Sequence, residues 1–218
     1  FVEQASLYDQ LDQRGDVVAQ LATLGYGPDE PPTVRCPSDD YENPNTGQSN
    51  YAPSMGNQAM SGRGCTAYPG NNFGNGPTGH GSTRDSGNIS GCFSRYDWAA
   101  KFRDIKDGTS NVILMGEIRP FCGDHHRGGW MNPNALWTAT TAPINFETCP
   151  GEGAGISATD GCNAHGNWQT SQGFKSQHPG GANFLFADGS VQFLPETIDY
   201  MTYQRLGDRR DGEPVSWP

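Results

Sequence analysis

The chain has few charged residues and lacks a long apolar run. Of its 218 residues, 17% are charged and 33% are hydrophobic. No apolar stretch approaches the roughly 18–20 residues of a membrane-spanning helix, and no signal peptide is recognisable. Positive charge is also scarce, and the formal net charge is −10. Nucleic acid and anionic membranes are therefore disfavoured as partners, because both bind through clustered Lys and Arg.

Glycine and proline, at 30 and 16 residues, are abundant and predict many turns and irregular loops. The length suits one domain with long insertions. We expect residues 1–27 to be the end of an N-terminal helical region, broken at Gly15, residues 28–106 to be a loop-rich insertion, and residues 107–218 to form a sheet with a C-terminal hairpin. The chain opens without a start methionine, which predicts a leader or anchoring helix before Phe1.

Six cysteines without a CxxC pair favour disulfides, and hence a location outside the cytoplasm. Six cysteines allow 15 pairings, and the sequence does not choose among them. Cys149 with Cys162 would close a short Gly-rich loop and is the first pair expected. The disulfide candidates are Cys36, Cys65, Cys92, Cys122, Cys149 and Cys162.

Residues 182–194 predict a β-hairpin, because two β-rich runs flank Asp188-Gly189. A two-residue type I′ turn would place both Phe-containing pairs on one buried face. An apolar run after Asn111 predicts a central buried strand, and Ile198, Met201 and Leu206 predict a short closing helix ended by Gly207. The hairpin pairs expected are Ala187 with Ser190, Phe186 with Val191, and Phe184 with Phe193.

A longer motif includes this hairpin: His178, nine residues, then Asp188-Gly189. In this motif and in four other segments the chain resembles a prepilin-type family of unknown function, abundant in planctomycete bacteria and similar to type IV pilins and type II pseudopilins. The four segments are Glu3-Gln4 with Leu7-Tyr8, Cys36-Pro37-Ser38-Asp39, Asn50-Tyr51-Ala52, and Asp107-Gly108-Thr109-Ser110-Asn111 leading to Gly116-Glu117.

The resemblance implies an α+β, pilin-like fold in which an N-terminal helix packs on an antiparallel β-sheet with long Gly/Asn-rich loops. It also implies that membrane contact occurs only through a hydrophobic helix preceding residue 1. It does not imply a known activity. The motif positions expected to be structural are His178, Gly180, Gly181, Asp188, Gly189, Asp107, Gly108, Asn111 and Glu117.

Two sets of residues are candidates for chemistry. His178 and Asp188 lie roughly 33 Å apart if the span between them is extended, so the favoured interpretation is that Asp188 serves the turn and His178 packs at the strand entrance. Asp188 is also a candidate calcium ligand, although calcium needs six to eight oxygens. Asp124, His125 and His126 form the densest group of metal ligands, and a solvated loop is the favoured alternative.

No hydrolase signature is present, since the chain lacks Gly-x-Ser-x-Gly, His-Glu-x-x-His and phosphate-loop patterns. We therefore expect a non-enzymatic, extracellular pseudopilin-like subunit of a bacterial surface filament or layer, with like subunits as partners. The alternative is a secreted carbohydrate-binding module, with or without calcium, that stacks polysaccharide on Trp and Tyr. These aromatic residues serve equally well as core plugs.

Overall fold

A computed structural model of the chain describes residues 5–25, 30–60, 76–152 and 161–215. No helix within these ranges combines the length and the apolar character needed to cross a bilayer. The α-helices there are α1 (Ala5–Tyr8), α2 (Val17–Thr23), α3 (Trp168–Ser171) and α4 (Tyr200–Gly207). The strands there are β1 (Tyr51–Pro53), β2 (Ile113–Glu117), β3 (Gly181–Phe186) and β4 (Val191–Pro195).

The strands form one four-stranded antiparallel sheet in the order β1-β2-β3-β4. The fold is therefore mixed α+β, and the prediction of a central strand after Asn111 is confirmed by β2. The edge strand β1 comes from the loop-rich region 28–106 and pairs with β2 through Ala52 and Gly116. A side chain at Gly116 would place its Cβ 2.6 Å from the rings of Phe174 and Phe184, so glycine is needed for this close packing.

The inner face of the sheet packs against the closing helix α4. Tyr203 and Leu206 of α4 are fully buried among Phe184, Phe186 and Leu194 of the hairpin. The predicted closing helix is thus confirmed. At the other end of the chain, α1 and α2 are two separate short helices, and the Asp16 side chain caps α2 by accepting a hydrogen bond from the backbone of Ala19. Within the described residues, the buried cluster beneath the sheet contains no side chain of α1 or α2.

The C-terminal hairpin has a different turn from the predicted one. Its loop contains Ala187, Asp188 and Gly189, and only Gly189 has a positive φ, of 88°. The Gly189 amide donates to the Phe186 carbonyl at 3.0 Å, and the Phe186 amide donates to the Ser190 carbonyl at 2.9 Å. This is a type I turn followed by a left-handed glycine, a common three-residue hairpin loop. The extra loop residue shifts the register by one position.

The register shift changes which side chains are buried. Phe184 lies opposite Gln192, and Leu185 lies opposite Val191. Because side chains alternate between faces, Val191 and Phe193 then point away from the core, where they are 65% and 47% exposed. The prediction that both Phe pairs lie inward is therefore wrong, whereas the hairpin itself is confirmed.

The disulfides also differ from the expected pairing. Cys149 is bonded to Cys122, and Cys162 is part of a disulfide as well. The predicted Cys149–Cys162 bridge is wrong because packing, and not loop length, selects the partner. Cys122 lies just after β2, and its carbonyl accepts a hydrogen bond from the hydroxyl of Thr148, the neighbour of Cys149. Cys65 lies outside the described residues.

Two predicted disulfide candidates, Cys36 and Cys92, are buried free thiols. Cys92 packs in a small apolar cluster with Val112 and Ala187. Burial raises the pKa of the Cys92 thiol to about 11, which keeps it protonated and unreactive at neutral pH. Cys36 instead faces polar side chains that come from two other parts of the chain.

Candidate functional site

Cys36, Glu117 and His178 meet at the end of the sheet where β2 terminates. The His178 Nε2 atom lies 3.2 Å from Oε1 of Glu117 and 3.7 Å from Sγ of Cys36. The three ligand atoms all lie within 4.8 Å of one another. Among the described residues, no other three His, Cys, Asp or Glu side chains meet this closely. Segments that are far apart in the sequence thus form one polar cluster.

Glu117 is the most deeply buried member of the cluster. It ends β2 and is 3% exposed. Asn183 of the neighbouring strand holds its carboxylate with two hydrogen bonds, from the backbone nitrogen at 2.7 Å and from the side-chain amide at 3.2 Å. A buried carboxylate needs such partners, because desolvation of an ionised group is costly. Asn183 therefore fixes the Glu117 oxygens in position.

Cys36 is held by Asn50, which precedes β1. The Asn50 side-chain oxygen accepts a hydrogen bond from the Cys36 amide at 3.0 Å, and its nitrogen donates to Asp39 at 2.6 Å and to the Ile118 carbonyl at 3.2 Å. Asn50 is 1% exposed. This single amide therefore ties the loop that carries Cys36 to the end of β2.

Tyr51, the first residue of β1, borders the cluster. Its pKa is raised, first by burial and then by the nearby Cys36 and Glu117. The cross-strand partner of Tyr51 is Glu117. The same tyrosine lines a groove on the outer face of the sheet. The polar cluster and the outer face are therefore adjacent surfaces of one sheet.

The cluster geometry does not match a catalytic relay of cysteine, histidine and glutamate. Such a relay uses one ring nitrogen toward the nucleophile and the other toward the carboxylate. Here the single Nε2 atom of His178 faces both Cys36 and Glu117. Three ligand atoms within 4.8 Å of one another are instead an arrangement in which a metal ion can be held.

His178 and Asp188, the ends of the long motif, have different partners. Asp188 is exposed and accepts a hydrogen bond from the Ser190 amide at 2.9 Å, while its own amide donates to the Thr109 carbonyl at 3.0 Å. The Ser190 hydrogen bond lowers the pKa of Asp188. Asp188 belongs to no group of three closely spaced metal ligands in the described ranges. Its position agrees with a role in the turn.

The predicted group Asp124, His125 and His126 is divided among separate contacts. The Asp124 carboxylate accepts from the Trp168 indole at 3.1 Å. His125 packs edge-on against Trp168, with ring centroids 4.9 Å apart. His126 is buried, with Nε2 3.4 Å from the Trp137 carbonyl oxygen, and burial lowers its pKa to about 3. The structure does not bring these three side chains to one point.

The remaining motif residues shape the backbone. Gly108 and Gly180 have positive φ angles of 91° and 82°. The Asn111 side chain donates to the Asp107 carbonyl at 3.0 Å and closes the turn that precedes β2. Gly181 begins β3, where a Cβ would come 2.8 Å from the Phe193 ring.

Trp137, one of the aromatic residues considered for stacking sugars, does not present an open face. Trp137 is 1% exposed and packs with Met55, Met60 and Ala139. The guanidinium of Arg95 lies over its ring, 4.4 Å from the centroid. For Trp137 the interpretation as a core plug is therefore the correct one.

Sequence reasoning missed the association of Cys36 with His178 and Glu117. The sequence predicts a disulfide for Cys36, and the long motif relates His178 only to Asp188. The segments that resemble the prepilin-type family contain a signal for this site. Three of them supply Cys36, Asn50 and Glu117, and the long motif begins with His178. No local spacing relates these residues, because they meet only through the sheet.

A family model described as "Protein of unknown function (DUF1559)" matches residues 1–200. No curated protein and no solved structure matches the chain.

Proposed function

Because the chain belongs to this prepilin-type family of unknown function, we propose that it is a non-enzymatic subunit of a bacterial surface filament or layer. Family membership and the Cys122–Cys149 disulfide indicate a secreted, extracytoplasmic protein. The observation that carries the proposal is an apolar surface on the outer face of the sheet. A second copy of the chain is the partner that this surface fits best.

One row of apolar residues crosses all four strands on the outer face. Pro53, Met115, Leu185 and Val191 are cross-strand neighbours in that order. Three of them, with Tyr51, line a groove of about 220 Å³. Val191 is 65% exposed, and large exposed apolar residues that adjoin one another mark interaction surfaces.

Charge restricts where two copies of the chain can meet. The chain carries a formal charge of −10, so two copies repel each other over most of their surfaces. The row from Pro53 to Val191 contains no charged side chain, and the neighbouring Phe193 is 47% exposed. Copies that meet through this face bury apolar area where charge repulsion is weakest.

The proposal is tested in a bacterium that produces the protein. Cells carrying the wild-type chain, the double variant Val191→Ser/Phe193→Ser, or the control Phe102→Ser are sheared, and the released material is separated by size. Phe102 is 76% exposed but lies outside the sheet. We expect the wild type and the control in high-molecular-weight surface material, and the double variant as dispersed subunits.

Equal assembly of all three proteins would show that the outer face is not the contact surface. Absence of the wild type from surface material would contradict the subunit role itself. Far-UV circular dichroism of each purified variant separates loss of assembly from loss of folding, since Val191 and Phe193 lie outside the buried core.

A further inference from the structure

We propose that Cys36, Glu117 and His178 bind one zinc ion. Each residue provides a single ligand atom: a thiolate sulfur, a carboxylate oxygen and an imidazole nitrogen. The inference goes beyond the assembly role, since it concerns the polar end of the sheet and not the apolar row.

The distances between the ligand atoms agree with tetrahedral zinc. Bonds of about 2.3 Å to sulfur and about 2.0–2.2 Å to nitrogen and oxygen give tetrahedral edges of roughly 3.6 Å for S···N and roughly 3.4 Å for N···O. The corresponding distances are 3.7 Å from Cys36 to His178 and 3.2 Å from His178 to Glu117. The third pair, Cys36 and Glu117, lies within 4.8 Å. Side-chain rotation that brings the sulfur and the carboxylate oxygen to roughly 3.6 Å completes the three ligand positions.

The donor set selects zinc over calcium and magnesium. Thiolate and imidazole are ligands for zinc and similar transition metals, whereas calcium and magnesium require several oxygen ligands. Glu117 contributes one carboxylate to the cluster, and its described neighbour Asn183 already donates hydrogen bonds to both of its oxygens. A dication also compensates the charge of this buried carboxylate.

Hydrogen-bonded neighbours already orient two of the three ligands. Asn183 fixes Glu117, and Asn50 fixes the backbone of Cys36. Zinc sites characteristically have such supporting partners around the ligands. The His178 side chain is 32% exposed and the Glu117 side chain 4%, so solvent reaches the cluster on the His178 side.

A bound ion would connect three distant parts of the chain: the loop at Cys36, the end of β2 at Glu117 and the approach to β3 at His178. Binding to the folded chain alone raises its stability with metal concentration. The expected consequence is a zinc-dependent increase in the unfolding midpoint.

The test uses the purified chain, stripped of metal with a chelator and with its free thiols reduced under conditions that leave Cys122–Cys149 intact. Native mass spectrometry and calorimetry with Zn²⁺ should give one ion per chain. Co²⁺ should give a thiolate-to-cobalt charge-transfer band and the visible spectrum of a tetrahedral site. Cys36→Ser and His178→Gln should each weaken binding at least about tenfold and Cys36→Ser should remove the charge-transfer band.

Two variants serve as matched controls. Cys92→Ser removes the other buried free thiol, and His125→Gln alters the pair His125 and His126, which lies outside the cluster. Both should bind Zn²⁺ as the wild type does. Asn183→Ala, which removes only the side-chain support of Glu117, should weaken binding about tenfold without changing the stoichiometry.

Failure of the wild type to retain one Zn²⁺, or a Co²⁺ spectrum without thiolate character, would overturn the proposal without relying on any variant. Loss of binding in His125→Gln but not in His178→Gln would also overturn it, since the ion would then lie at the other histidines. These readouts are independent of surface assembly, so either proposal can fail while the other stands.

Discussion

Phe184 and Gln192 lie directly opposite each other across the C-terminal hairpin. Phe184 is fully buried against Phe174 and Tyr203, with ring centroids 5.1 Å and 6.0 Å away. The next residue of β4, Phe193, therefore faces outward. The same hairpin thus places Phe184 in the buried core and Phe193 on the exposed apolar face.

This register predicts very different costs for two phenylalanine truncations. Phe184→Ala removes a fully buried ring and should lower the free energy of unfolding by about 3–5 kcal/mol. Phe193→Ala removes a half-exposed ring and should cost less than about 1 kcal/mol. Urea unfolding of both variants measures the difference. Comparable losses would mean that both rings are buried and that the register is the one with a two-residue turn.

The Cys122–Cys149 bridge should contribute strongly to stability. The two residues are 27 positions apart, and closing a loop of this size stabilises a fold by about 3.5 kcal/mol through the unfolded state. The variant Cys122→Ala/Cys149→Ala should lose about this amount in urea unfolding. Mass mapping of the unreduced wild type should find a peptide pair that joins these two cysteines. A pair that joins Cys149 to Cys162 would contradict the structure.

His126 should make stability depend on acidity. Burial lowers its pKa from 6.5 to about 3, so the unfolded chain binds a proton at this histidine over a pH range in which the folded chain does not. The contribution of the neutral His126 ring to the free energy of unfolding is complete above pH 6.5. It is lost as the pH falls toward 3, by up to about 1.4 kcal/mol per pH unit. The stability of the wild type relative to His126→Gln should therefore decrease from pH 7 to pH 4. A constant difference over this range would show that the ring is accessible to protons.

Lys175 should make the stability of the protein depend on pH above pH 7. Its ammonium is fully buried and donates to the Thr170 carbonyl at 2.9 Å, and burial lowers its pKa from 10.5 to about 7. Between these values the unfolded chain binds the proton more tightly, so stability should rise as the pH increases above 7. Chemical unfolding at pH 7, 8 and 9 should show this rise in the wild type and a smaller one in Lys175→Met. The same dependence of stability on pH in the wild type and in Lys175→Met would contradict the lowered pKa of Lys175.

The elements that sequence alone predicts are those set by local physics. The apolar run after Asn111 forms β2, the spacing of Ile198, Met201 and Leu206 marks α4, and Asp188-Gly189 forms a hairpin turn. The sequence does not predict the exact turn, because Asp-Gly suits two hairpin loops. A two-residue type I′ turn needs two left-handed residues, whereas the three-residue loop needs only one. That single residue decides which face of β4 is exposed.

By itself the sequence determines an extracytoplasmic α+β protein of a prepilin-type family, since composition, cysteine content and motif order do not depend on long-range geometry. Only the tertiary structure decides the disulfide partner of Cys149 and the meeting of Cys36, Glu117 and His178. These contacts join residues far apart in the chain, and their geometry is set by how β1, β2 and β3 pair, which no local pattern encodes.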